Sequence, residues 1–276
     1  MIERKQLNIL LLHVLLTFFA LATLFPILII GLMAFKTNNE IFAAPLRPPD
    51  VWRFSQIADA WVQGNFKTYY LNSIMVSVPT VLIVVSCSTL AAYGLVFARL
   101  KGSRIMLGLF LLGLIMPLQA VVIPLFHLQV ALGLLNTHFG LVLAQAAVGM
   151  PFGVFLMRSF MSGLPREIIE AARIDGATDV EILRRVVLPI STAPAMTLAT
   201  LQFMYSWNDF LLPLMLLQDP EMRTVTLGLF YLQGGTYTLN YTMISAGVLI
   251  TSAPIMVVFF ALQRQFIAGA TIGAVK

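Results

Sequence analysis

Between Arg166 and Pro189 the sequence reads REIIEAARIDGATDVEILRRVVLP, with nine charged side chains: Arg166, Glu167, Glu170, Arg173, Asp175, Asp179, Glu181, Arg184 and Arg185. Long apolar stretches flank it on both sides. Charges are costly in hydrocarbon, so this segment lies in water or against another protein. Pro165 suits the first turn of a helix, where its missing N–H costs nothing. Arg166 to Asp175 reads as that helix, and Gly176 supplies a left-handed stop. Thr178 and Glu181 have capping-box spacing and start a second helix, which Pro189 closes. Ile168, Ile169 and Ala172 form an apolar stripe, and Ala171 and Ala172 a small-residue face. Glu170 and Arg173, three apart, are within ionic reach of each other or of a partner. The chemistry on offer is recognition, by a short helix seated in a protein groove.

Few other residues suggest a reaction. His13, His127 and His138 have no partners at metal-ligand spacing. No HExxH, CxxC or G-x-x-x-x-G-K-[ST] pattern occurs, so no metalloprotease, thiol-redox or phosphate-loop chemistry is indicated. The single cysteine, Cys87, excludes a disulfide framework within the chain and reads as a small buried hydrophobe.

The elements that position these residues are membrane spans. The chain is 59% hydrophobic and 11% charged, with mean hydropathy +0.90. A soluble domain carries about 25% charged residues, so this is an all-α integral membrane protein. A crossing helix needs roughly 20 apolar residues. Six stretches qualify: Leu7–Phe35, Asn72–Phe97, Ile105–Phe126, Phe139–Met157, Ala193–Leu216 and Thr242–Gln263. Pro117, Pro124, Pro151 and Pro254 are expected to kink spans. Tryptophans favour the membrane boundary, so Trp52 and Trp61 are expected on a short interfacial helix before the second span.

Basic residues set the orientation. With the N-terminus inside, inner segments hold 12 of the 17 Lys and Arg and outer segments 5. That bias puts both termini and the charged insert in the cytoplasm. The basic residues flank apolar runs instead of forming an aromatic-laced patch, which argues against nucleic acid. The chain divides into a first span and outer loop (1–65), a membrane domain (66–265) with the insert at 160–190, and a tail (266–276).

Asp209 is the only acid within a predicted span. With Asn208 it sits either on a translocation path or in a structural hydrogen bond near the end of span five. Gln119 and Gln145 are the other notable intramembrane polar groups. They serve either interhelical hydrogen bonds or a pore.

The insert resembles the signature EAA-x3-G-x9-I-x-LP of permease subunits of binding-protein-dependent ABC importers. Here it is Glu170-Ala171-Ala172, Gly176, Val186 in place of isoleucine, and Leu188-Pro189. Ile174-Asp175-Gly176-Ala177, Trp207-Asn208-Asp209-Phe210 and the tail Gly273-Ala274-Val275-Lys276 are similar to carbohydrate permeases. From about residue 65 onward the layout resembles the shorter maltose-type permease.

The resemblance implies a type I ABC importer fold with six spans and a cytoplasmic helix-turn-helix. Glu170, Ala171, Ala172, Arg173, Asp175, Gly176 and Pro189 would couple to a separate ATPase. It implies a second permease, two ATPase subunits that hold ATP and magnesium, and an extracytoplasmic binding protein that delivers a sugar. Gly234, Gly235 and Tyr237 would belong to the loop that reaches that protein. The setting is a bacterial or archaeal inner membrane. The chain itself carries no cofactor and no enzyme activity. A polyol or glycerol-phosphate ester is an alternative cargo. An ion-gradient transporter expects paired midplane charges or repeated halves, which this sequence lacks. A scaffold without a transport path is the third class.

Overall fold

The computed structural model describes residues 2–98, 102–232 and 240–272. Only helices occur among the described residues. They are α1 (Ile2–Met33), α2 (Asn38–Ala43), α3 (Ser55–Gln63), α4 (Phe66–Val96), α5 (Ser103–Ile115), α6 (Leu118–Ala131), α7 (His138–Ser162), α8 (Arg166–Ile174), α9 (Asp179–Ile182), α10 (Leu188–Ile190), α11 (Thr192–Asn208), α12 (Leu211–Leu216), α13 (Val225–Leu232) and α14 (Tyr241–Ile272). Four stretches are long and apolar enough to cross a membrane unbroken: Asn8–Met33, Phe66–Val96, His138–Ser162 and Tyr241–Gln263. Two bent pairs raise that number to as many as six if each is one broken span.

The bent pairs correct the expectation of simple spans. Span three is α5 and α6, which meet at 105°. Pro117 pushes the residue before it out of the helical region. Met116 is accordingly extended, with ψ 122°. Pro124, Pro151 and Pro254 stay inside their helices. Span five begins after a 73° bend at Ser191 and stops at Asn208. Asp209 is extended, with ψ 128°, and its Oδ1 accepts the Leu212 N–H of α12 at 3.4 Å. A short acidic side chain that bonds nearby backbone competes with helix continuation.

The chain forms two compact units. The first is 1–67 with 228–253. None of the Asn8–Met33 stretch is buried. Lys36 is buried, and its Nζ donates to the carbonyls of Ala44 and Pro45, each at 2.9 Å. Thr242 Oγ1 donates to the Lys36 carbonyl at 2.6 Å, which fixes the start of α14. Trp61 lies on α3 as expected, but Trp52 does not. Trp52 packs in the preceding loop, its ring 5.3 Å from that of Phe35.

The second unit is 68–227 with 254–276. It holds two apolar clusters. One gathers Val84, Met157, Met161, Ile182, Val187 and Leu198. The other gathers Val76, Leu141, Ala144, Leu212, Leu216 and Leu227. Gly153 of α7 lets α4 approach closely, because a Cβ there would collide with Ser88. Cys87 is exposed on α4 and not buried. Val84 and Ser88, four apart, share the inward face of α4, and Cys87 lies at the margin of that face.

Candidate functional site

The charged insert forms two helices around a glycine turn. Helix α8 runs from Arg166, with Pro165 at its N-cap and not inside its first turn. It closes at Asp175, and Gly176 has φ +85°. The Ala177 N–H returns to the Ala172 carbonyl at 3.0 Å. Thr178 then caps α9. Its N–H and hydroxyl donate to Glu181 Oε2 at 3.0 and 2.9 Å. The Glu181 N–H returns to Thr178 Oγ1 at 3.4 Å, completing the box. The backbone N–H of Thr178, then its hydroxyl, hold the Glu181 carboxyl below the usual carboxylate range.

Pro189 does not end this helix. The chain passes through a π-turn at Leu183–Val187 into α10, which contains Pro189. The Leu188 N–H reaches back five residues to the Leu183 carbonyl. The wide turn accommodates the proline ring and missing donor that would otherwise clash within a regular helix. The stop comes two residues later, at Ser191.

Side-chain pairing in the insert also differs from the simplest expectation. Arg173 pairs with Asp179 across the glycine turn, Nη2 to Oδ1 at 3.1 Å, and not with Glu170. The same Nη2 donates to the Phe97 carbonyl beyond α4 at 3.2 Å. Tyr93 Oη of α4 donates toward the Asp179 carbonyl at 3.1 Å. Arg173 and Asp179 therefore tie both insert helices to the end of α4. Of the expected apolar stripe, Ile169 is buried and Ala172 is packed in the cluster with Met157, while Ile168 is exposed. The outward surface holds Glu170, Ala171, Asp175 and Gly176. It also holds Ile174, which is 87% exposed. Sequence periodicity does not single out Ile174, because it flanks the apolar stripe; an apolar residue beside the glycine turn was the available signal.

The second constellation lies between α4, α7 and α11. Gln145 is fully buried on α7. Its Nε2 donates to Asp209 Oδ2 at 2.9 Å, and its Oε1 accepts from the Ser206 hydroxyl at 2.6 Å. Ser77 Oγ of α4 lies 3.0 Å from Ser206 Oγ. Asp209 and Gln145 are thus brought together. Asn208 is exposed, and its Nδ2 donates to the Met204 carbonyl at 2.9 Å within its own helix. Gln119 is exposed on the first turn of α6 and does not join the network. Gly234, Gly235 and Tyr237 lie outside the described residues.

Beside this network is a cavity of about 260 Å³ lined by Val148, Gly149, Phe152, Leu201, Gln202 and Tyr205. Gln202 is buried, and its Nε2 has no hydrogen-bond partner among the described residues. A Cβ at Gly149 would lie 2.6 Å from Gln202 Oε1, so the glycine makes room for this amide. The sequence reading missed Gln202 and Gly149. A glutamine four residues before Ser206, on the same helix face, was the legible clue.

Apolar helices, unbroken and broken, with a charged insert whose outer face is exposed make this a polytopic membrane protein. Residues 85–270 match the family described as binding-protein-dependent transport system inner membrane component. The diacetylchitobiose uptake system permease protein NgcG of Streptomyces coelicolor is 34% identical over 93% of this chain and 85% of its own length. The galactooligosaccharides transport system permease protein GanQ of Bacillus subtilis is 31% identical over 99% and 97%. A bacterial ABC transporter involved in the import of the acidic polysaccharide alginate has a chain that superposes with TM-score 0.82. That chain is 26% identical, with 95% of this chain and 97% of that one covered. The protein belongs to the inner-membrane permease components of binding-protein-dependent transport systems, and its fold is that of a type I ABC importer permease.

Proposed function

We propose that this chain is one of two permease subunits, as a heterodimer, of an ATP-driven sugar importer. Two cytoplasmic ATPase subunits bind ATP and magnesium, and one of them seats the face formed by Glu170, Ala171, Ile174, Asp175 and Gly176. Ala172, Arg173 and Pro189 hold that face in place. An extracytoplasmic binding protein releases the sugar to the membrane subunits, with Gly234, Gly235 and Tyr237 in the loop that meets it. Both termini face the cytoplasm of a bacterial or archaeal cell, as the 12 to 5 bias in basic residues favours. The chain performs no hydrolysis itself.

The observation that carries this reading is the exposed Ile174 on an insert tied to α4 by Arg173 and Asp179. Motion of a partner that grips Ile174 is delivered to a membrane helix. The solute path runs past the Gly149–Gln202 cavity. An amide with both donor and acceptor atoms beside Phe152 and Tyr205 suits a hydroxylated ring, which offers hydrogen-bonding edges and an apolar face. Asp209 and Gln145 shape that wall from behind, Asn208 lies at its end, and Gln119 is assigned to the same path on α6. The oligosaccharide names of NgcG and GanQ support sugar as the cargo. The test is uptake of labelled oligosaccharides into vesicles holding this chain and its copurifying partners. ATP-dependent uptake that stops without the binding protein is the expected result. Uptake driven by an ion gradient without ATP would overturn the reading.

A further inference from the structure

Arg158 and Arg166 line one small cavity, of about 120 Å³, at the root of the insert. Leu95, Phe97, Met161 and Leu164 close it. It therefore sits where α7 ends, α8 begins and α4 terminates. Neither guanidinium has an ion pair or a hydrogen bond among the described residues. No acidic side chain lines the cavity. A guanidinium stays charged at every accessible pH, and of the two Arg158 is half-buried while Arg166 is exposed at the mouth of the cavity, so it is Arg158 that calls for a counter-ion.

Three further features specify that counter-ion. Arg158 lies one turn before the end of a helix apolar enough to cross a membrane, which places it at headgroup depth. Helix α8 has nine residues and no side-chain cap at its N-terminus, because Pro165 offers none. The helix dipole adds positive potential beside Arg166, with the Ile168 N–H already given to the Pro165 carbonyl at 3.4 Å and Glu167 the one acid in that turn. The cavity is a small cleft between helices that Ile174 does not line, so it suits a compact oxyanion, although Arg166 shares a helix face with Glu170 and Ile174. Basic clefts between membrane helices at the cytoplasmic boundary hold anionic headgroups.

We propose that Arg158 and Arg166 bind a phosphoryl oxyanion, supplied by the headgroup of an anionic phospholipid, and that this contact pins the α7–α8 junction from which the insert hangs. The chemistry is shared by lipid phosphate and free phosphate, and the two sources are separable by experiment. The full complex, stripped of lipid in dodecyl maltoside, is treated with phenylglyoxal, and mass spectrometry reads modification at each arginine. Added phosphatidylglycerol is expected to slow modification at both positions about tenfold, the scale of a charge-assisted bidentate contact. Inorganic phosphate is expected to protect less. Equal protection by inorganic phosphate would overturn the lipid source, and no protection by either would overturn the site. Full protection before any addition would assign the arginines to a partner protein and overturn it as well. Arg158→Gln should abolish lipid protection of Arg166, while Arg158→Lys should keep it. Unchanged protection in Arg158→Gln would also overturn the proposal. Neither variant touches the Ile174 face, so retained ATPase subunits report that the complex is intact.

Discussion

Ile169 and Ile174 share the nine-residue α8, yet the first is 4% exposed and the second 87%. Five residues of helix turn the side chains well apart, so one faces the bundle and the other faces outward. The two positions should fail differently. Ile169→Ala opens a gap in the cluster shared with Ile182 and Met161, and large-to-small core changes cost about 2–5 kcal/mol. The melting temperature in detergent should fall. Ile174→Asp removes no buried contact, so melting should hold while the ATPase subunit is lost on purification. A matched drop in melting temperature for both variants would contradict the division of labour.

Gly176 adopts φ +85° with open space where a Cβ would point. A side chain there strains the backbone without striking a neighbour. Left-handed backbone costs about 1–2 kcal/mol for most residues, and less for asparagine, which bonds locally. Gly176→Val should therefore shift the Arg173–Asp179 pair and lower solute moved per ATP several-fold. Gly176→Asn should retain most of that coupling. The measurement is uptake and hydrolysis in the same vesicles. Equal coupling in the two variants would show that the turn's handedness is not what matters.

The capping box at Thr178 and Glu181 and the glycine stop were legible because each rests on residues close in sequence. So were the apolar stretches, whose length reports the bilayer. The 105° bend at Met116–Pro117 was not: proline signalled a kink, but the angle depends on how α5 and α6 pack elsewhere. Pro189 misled for the opposite reason, since a π-turn absorbed it. For Arg173 the helix register offers Glu170 or an outside partner, whereas folding supplies Asp179 across the turn. Gln145 stood out as a polar residue among apolar ones. Its partners Ser206 and Asp209 come from α11 and the residue after it, and Ser77, which bonds Ser206, from α4, and no local pattern names them.

That network yields a stability prediction with an internal check. Asp209→Ala strips Gln145 Nε2 of its acceptor in a buried setting. An unpaired buried donor costs about 1–3 kcal/mol, so the variant should melt at a lower temperature. Gln145→Leu has the same effect from the other side, leaving the Asp209 carboxylate and the Ser206 hydroxyl without the amide. Combining Gln145→Leu, Ser206→Ala and Asp209→Ala removes the amide and its two closest partners at once, and replacing both partners of a bond by apolar groups is nearly neutral. The triple variant should thus be more stable than the sum of the single losses, a coupling of about 0.5–3 kcal/mol. Thermal melting of the singles and the triple in one detergent measures it. Additive losses would mean that these groups do not act as a unit. Transport is a separate readout. If Gln145 and Asp209 merely hold α7 against the end of α11, the triple variant should move solute nearly as well as the parent. If they face the path, it should be stable and slow.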